Sequence, residues 1–542
     1  MLKNTMPIAK ACGRALAPGR QVRWLLVVGL AALVVGVIGS AGAVGANQVA
    51  AKATVTLGGP SFCTRFSPLL ANSDRTSSLS DWFLINFNGF GKPYTPGSAE
   101  SWKVTKGNKV ITFTLRKGLR FSDGVAFDAE SVKTWLEYRQ KQPSAFGGTS
   151  FVGPIQSVDV LSKYVVRITL KAPNPELAYA FAQFGFNWGN VQSPRAVAEA
   201  ATDPAIWARG TFGLGPYTLV KSQSVIGSQC TYRPNRFYPG ASKLKFGTVV
   251  TKNMLDPNTI LAAAQSGQVD VAQVATGSIA PAAQAAGLSV QRIKALVVGM
   301  YLIDHGGVNK ALDDVRVRQA LNYAVDRKAI VNAIYPNSGF PTSSPDPIVN
   351  GNTPKYDELY GYNPTRAKSL LASAGYQSGL TIKALAPQGG FGFGLDQLAQ
   401  LVCKYWGDVG VKCDLTVQPA ASWFGQLSSK RYSASAGVAA VSPPWTWFTQ
   451  SVIPNANGGA YGADQHGWFD SEIRNLWLRG QRVGEKAAAP YWEKMIARGV
   501  EQAISVPIAS PGVVFLVSKR VSGVKPIAPG LLSVPDWSPA ST

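Results

Sequence analysis

A chain of 542 residues is too long for a single hydrophobic core and implies two to four domains. Hydrophobic residues at 46% with charged residues at only 15% describe a globular protein and exclude a disordered one. The net charge of +23 comes from Lys and Arg scattered among Ser, Ala and Gly, so the basic surface reads as solvated and no nucleic-acid footprint is present.

The N-terminus carries Lys3, Lys10, Arg14, Arg20 and Arg23 with no acid, followed by the apolar run "WLLVVGLAALVVGVI" from Trp24 to Ile38 and then small residues. A basic start, an apolar middle and a small-residue cleavage site make residues 1–46 a signal peptide or an N-terminal anchor. "AVGA" places a cut before Asn47, "AGA" ending at Ala43 is a competing cut, and the absence of charge from Trp24 to Lys52 leaves an uncleaved anchor open. No Cys stands where a lipoprotein would be acylated. Either way the protein is exported, to a periplasmic or extracytoplasmic membrane-associated location. Beyond this segment 48 basic residues face 30 acidic ones.

The chain that follows reads as mixed α and β throughout. "ATVTLG", "VITFTL", "VVRITL" and "GTVVTK" are strand-like. In "VITFTL" Ile111, Phe113 and Leu115 share one face and Thr112 and Thr114 the other. Ser122-Asp123-Gly124 then reads as a turn, because Gly tolerates positive φ and Asp bonds the local backbone; a catalytic Ser-Asp pair is the rejected alternative. Asp128 caps a helix bearing Val132, Trp135 and Leu136 on one face. Another helix opens at Asp313 or Asp314 and carries Val317, Leu321, Ala324 and Val325. Asp326 caps the next, "RKAIVNAIY". Asn363-Pro364 opens a helix that closes at Gly375, and a further helix carries Leu395, Leu398, Val402, Tyr405 and Trp406 up to Gly407 or Gly410. "GGFGFG" at 389–394, just ahead of it, reads as a flexible loop.

Export makes Cys63, Cys230, Cys403 and Cys413 disulfide candidates. Four cysteines allow three pairings. Cys403 and Cys413 flank "KYWGDVGVK", a helix end turning into a strand, which favours a local bridge and leaves Cys63 for Cys230. Metal binding is disfavoured by the absence of C-x-x-C spacing and by the presence of only two histidines, His305 and His466. No G-x-S-x-G, H-E-x-x-H or phosphate-binding G-x-x-x-x-G-K-[ST] motif occurs, so the chain reads as a non-enzyme without cofactor.

Five stretches then carry a resemblance. "VITFTLRKGLRFSDGVAFDAESVKTWL", "GTFGLGPYTLV", "YRPNRFYPG", "LDDVRVRQALNYAVDRKAIV" and "YNPTRAKSLLASAGY" occur in the order found in the peptide- and nickel-type solute-binding proteins of ABC importers, solute-binding protein family 5. Phe212-Gly213-Leu214 departs from the usual Gly-Thr-Gly-Pro-Tyr spacing. The resemblance implies an α/β two-lobed periplasmic-binding-protein clamshell with an extra third domain, its mixed sheets flanked by helices. Lobe I would combine residues 54–88, 206–305 and 506–542, with 89–205 as the extra domain and 306–505 as lobe II. It further implies a small-molecule or peptide-like ligand held between the lobes, delivery to ABC permease subunits in the membrane, and a monomer.

Peptide-binding members of the family hold the peptide amine with an Asp in a Gly-Trp-x-x-Asp-Tyr-Pro-Asp-Pro loop. Here the matching stretch is "GVAAVSPPWTWF", residues 437–448, and Ala440 stands where that Asp would be. A buried ammonium without a carboxylate is costly, and "ALAPQGGFGFG" at 384–394 offers no Arg for a terminal carboxylate, so free di- and tripeptides are disfavoured. The loop gains Trp445, Trp447 and Phe448 behind the stiff Pro443-Pro444 pair; these three are the expected ligand-binding residues, with Phe391, Phe393 and Trp423 behind them. The alternatives are a secreted hydrolase, which would need His305 or His466 beside a nucleophile, and a surface receptor serving a signalling partner.

Overall fold

The computed structural model describes residues 52–542 apart from 65, 67, 70–76, 90–92, 143–154, 183–187, 275–276, 295, 305, 346–355, 357–358, 389–392, 428, 430, 441–469, 527–531 and 541–542. The signal or anchor segment therefore lies outside the described residues, as do His305, His466, Phe391, Trp445, Trp447 and Phe448. Among the described residues no helix is long and apolar enough to cross a membrane.

The principal strands in the first half of the chain are β1 (Ala53–Gly59), β2 (Ala99–Thr105), β3 (Val110–Leu115), β4 (Ile155–Ser162), β5 (Val165–Leu170), β6 (Gln229–Pro234), β7 (Phe246–Asn253) and β8 (Val271–Val274). The second half supplies β9 (Ser289–Lys294), β10 (Leu296–Leu302), β11 (Leu380–Pro387), β12 (Val411–Gln418), β13 (Ala434–Ala440) and β14 (Ser505–Val517). Most of these belong to one mixed sheet, in the order β12-β11-β13-β10-β14-β8-β1-β7-β6. Its two halves correspond to two lobes. In one, β1 runs parallel to β7 and β8; in the other, β11 runs parallel to β12 and β13.

Two chain segments run through both halves. β14 pairs antiparallel with β10 over Ser505–Ala509, and with β8 and β9 over its later residues up to Val517. β9 and β10 accompany it, with a single residue between them. All thirteen residues of β14 are buried, as expected of a strand covered on both faces.

A separate four-stranded antiparallel sheet, β2-β3-β5-β4, carries its own core. Helix α1 (Ala129–Gln140) covers it. Asp128 is its N-cap: the carboxylate accepts from Ser131 N at 3.0 Å, and Ser131 Oγ accepts from Asp128 N in return. Val132, Trp135 and Leu136 are buried against Ile111, Phe113 and Leu115 of the sheet, each contributing on the order of 1.5–3 kcal/mol. That core reaches from Leu84 to Leu214.

In the second lobe α2 (Val315–Tyr323) is capped by Asp314, α3 (Arg327–Ile334) by Asp326 and α4 (Pro364–Ser373) by Asn363. α5 (Leu395–Gly407) buries Leu395, Leu398, Val402 and Trp406. Two arginines of the α2–α3 pair are buried in structural roles. Arg327 donates to the carbonyls of Thr342, Pro507, Asn322 and Tyr360 and to Asn322 Oδ1, at 2.8–3.1 Å. Among the described residues it has no acidic partner, and burial lowers its pKa to about 10. Arg318 donates to the carbonyls of Leu312, Asp313 and Gln502. These guanidinium groups tie α2 and α3 to the start of β14.

Both cysteine pairs come together. Cys403 on α5 and Cys413 on β12 have Cα atoms 5.2 Å apart, and Cys63 and Cys230 of β6 have theirs 5.4 Å apart. Each pair is joined as a disulfide.

Candidate solute site

In open α/β sheets ligands bind outside the carboxyl ends of the parallel strands. In the second lobe those ends are Gln418, Pro387 and Ala440, and three connections leave them. Residues 388–394 lead into α5, residues 419–433 contain α6 (Ala420–Gln426), and residues 441–469 follow β13. The six aromatic residues singled out from the sequence lie on these connections. Trp445, Trp447, Phe448 and Phe391 fall outside the described residues. The other two are interior side chains. Phe393 is buried and its carbonyl accepts from Tyr335 Oη at 2.7 Å. Trp423 packs on Leu385 and Leu427, and its Nε1 donates to Ser435 Oγ at 2.9 Å. Trp423 therefore anchors its connection to the sheet, and the Phe393 backbone anchors its own to the end of α3.

In the first lobe the carboxyl ends are Gly59, Asn253 and Val274. Two polar oxygens there, Asn253 Oδ1 and Gln273 Oε1, are buried without a hydrogen-bond partner. Residues 60–64, which leave β1, are held by the Cys63–Cys230 bridge. An open hollow of about 430 Å³ lined by Ser289, Val517 and Lys519 lies at the opposite, amino end of β8.

A second polar group was not read from the sequence. Asp81 follows the short helical turn Ser77–Ser80. Its carboxylate accepts from Gln192 Nε2 at 3.0 Å and from Asn190 Nδ2 at 3.4 Å. Residues 213–215 close over it: a Cβ on Gly213 would stand 2.3 Å from Asp81 Oδ1, and one on Gly215 would stand 2.3 Å from the Ser80 carbonyl carbon. Only glycine permits that approach. Burial raises the Asp81 pKa from 3.8 to about 6, against the opposing pull of Gln192 and Asn190. The Ser122-Asp123-Gly124 turn buttresses this wall. Ser122 N donates to Gly213 O at 3.0 Å, Ser122 Oγ to Thr211 O at 2.9 Å, and Ser193 Oγ to Asp123 Oδ2 at 2.6 Å. Gly124 sits at φ +87°, so the turn is structural and its Ser and Asp have no nucleophile–base contact.

Among the described residues no group of three or more His, Cys, Asp or Glu could hold a metal.

Residues 93–459 match the model for bacterial extracellular solute-binding proteins, family 5 Middle. The chain belongs to this family. Its members are the solute-binding components of ABC importers and work with membrane permeases. Among curated relatives of this family 5 protein, the glutathione-binding protein GsiB of Pectobacterium atrosepticum is 27% identical over 429 residues, covering 76% of each chain. The dipeptide-binding protein of Escherichia coli is 27% identical over 378 residues, covering 65% of this chain and 69% of its own. Among solved structures, HbpA2 from Haemophilus parasuis superposes with a TM-score of 0.76 at 20% identity, covering 90% of this chain and all of that one. DppA from Helicobacter pylori in complex with the peptide STSA superposes at 0.74 and 19% identity, covering 90% and 98%. These likenesses show the two-lobed fold. The relatives are binding proteins, not enzymes.

Proposed function

We propose that this family 5 protein is exported, captures a small to medium organic solute between its lobes as a monomer, and hands it to a permease. The observation that supports the reading best is the convergence of sequence and fold. The aromatic residues chosen from the sequence lie on three connections that leave the same end of the parallel run β12-β11-β13. Trp445, Trp447, Phe448 and Phe391 would offer ring faces to the solute, while Phe393 and Trp423 hold the connections in place. Aromatic contacts of this kind contribute about 0.5–1.5 kcal/mol each without needing ligand charge. Closure follows because a solute touching both lobes favours the closed state.

Trp445→Ala and Trp447→Ala, each assayed for melting temperature and for affinity toward the solute that copurifies, test the site. The reading expects affinity to fall while the melting temperature of the unliganded protein holds. Loss of stability with normal binding by the folded fraction would make these rings core and move the site elsewhere.

A further inference from the structure

We propose that Asp81 and Asn190 form a subsite for a protonated amine of the solute, an ammonium or alkylammonium group; this rests on the solute-binding reading above. The aspartates fully withdrawn from solvent are satisfied, whereas Asp81 is half-buried. Asp270 pairs with Arg520 at 2.6 Å, Asp470 with Arg498 at 2.9 Å, and Asp304 accepts three backbone N–H bonds at 2.7–2.8 Å. Asp81 has no basic side chain within ion-pair distance among the described residues and receives only two neutral amide donors. Beside it Asn190, 1% exposed, carries Oδ1 without a hydrogen-bond partner. Its Nδ2 lies 3.4 Å from Asp81 Oδ2, so the two side chains are neighbours.

The arrangement is thus a carboxylate without a cation beside an amide whose oxygen has no partner, with the backbone of 213–215 packed on Asp81. An ammonium is a compact cation with three N–H donors and needs this acceptor set. A guanidinium fits less well, because its fork takes both oxygens of one carboxylate and Asp81 Oδ1 already holds Gln192. The raised pKa of Asp81, to about 6, accords with an acid that lacks its cation.

The test uses Ala-Ala, Leu-Gly-Gly and glutathione, which carry a free ammonium, and their N-acetyl counterparts, each measured against the solute-stripped full chain by calorimetry and native mass spectrometry. The proposal expects at least one ammonium compound to bind about tenfold or more tightly than its N-acetyl partner, and expects Asp81→Asn to abolish that preference. Asp81→Asn should leave the N-acetyl affinities unchanged, and circular dichroism should show the variant folded. Equal affinity for both members of a pair, or a preference kept in Asp81→Asn, overturns the subsite and leaves the solute-binding reading standing. Failure of every compound to bind overturns the subsite, and failure of any solute to copurify counts against that reading as well.

Discussion

Replacing Asp81 by Asn should make the unliganded protein more stable at neutral pH and change it little in acid. The folded-state pKa, about 6, lies above the ordinary 3.8, so the folded chain binds this proton more tightly than the unfolded one. Below pH 3.8 both states hold the proton and nothing is lost. As the pH rises through the interval the unfolded chain ionises first, and the folded state falls behind until pH 6, after which the deficit is constant. At 1.36 kcal/mol per pKa unit the deficit at pH 7.5 is at most about 3 kcal/mol, and at pH 4 about 0.5 kcal/mol. No charged side chain contributes to the shift; Gln192 and Asn190 are its only side-chain partners, and both are neutral. Asn has no such deficit. It keeps the Gln192 bond through its own oxygen, and Asn190 can turn its unpartnered Oδ1 toward the new amide. Urea unfolding of wild type and Asp81→Asn at pH 4 and pH 7.5, with unchanged m-values, measures the difference. A gain confined to the higher pH is expected. No gain at pH 7.5, or an equal gain at both, would refute the account of a desolvated, unpaired carboxylate.

Arg327→Ala should cost about 3–5 kcal/mol, because it leaves four buried carbonyls without their donor; a shift in the urea midpoint worth less than 1 kcal/mol would show that water replaces the guanidinium. Removing the Cys63–Cys230 bridge, which spans 167 residues, should cost roughly 5 kcal/mol, whereas removing Cys403–Cys413, which spans 10, should cost roughly 3 kcal/mol. Urea unfolding of the two double-serine variants gives the order, and non-reduced peptide mapping should link each pair; a reversed order or free thiols would contradict it.

Much of the local structure was legible because its determinants lie within a few residues of one another. Asp128, Asp314, Asp326 and Asn363 each accept an amide of the first helical turn, and Val132, Trp135 and Leu136 face the core as their spacing requires. The crossover strand β14 was harder to see. Buried on both faces, "SVPIASPGVVFLV" has no alternation, and Pro507 and Pro511 argue against a central strand. The structure accommodates Pro507 opposite Gly299 at a register shift, where a Cβ on Gly299 would stand 2.4 Å from Val506 O. Asp81 was illegible for a different reason. Its partners Gln192, Asn190, Gly213 and Gly215 are more than a hundred residues away in sequence and meet it only in the fold. The departure from the Gly-Thr-Gly-Pro-Tyr spacing at 212–214 marked one wall of that site without indicating what it encloses. The aromatic connections were legible as composition, but their common origin at one end of β12-β11-β13 depends on the parallel register.

Capture of a solute by closure of the two lobes is tested most directly by small-angle scattering on the full chain, first stripped of solute and then saturated with the compound that mass spectrometry finds copurifying. The account predicts a smaller radius of gyration on saturation, together with stabilisation of about 2.7 kcal/mol at a hundredfold excess over Kd. Tight binding with an unchanged scattering profile would contradict it.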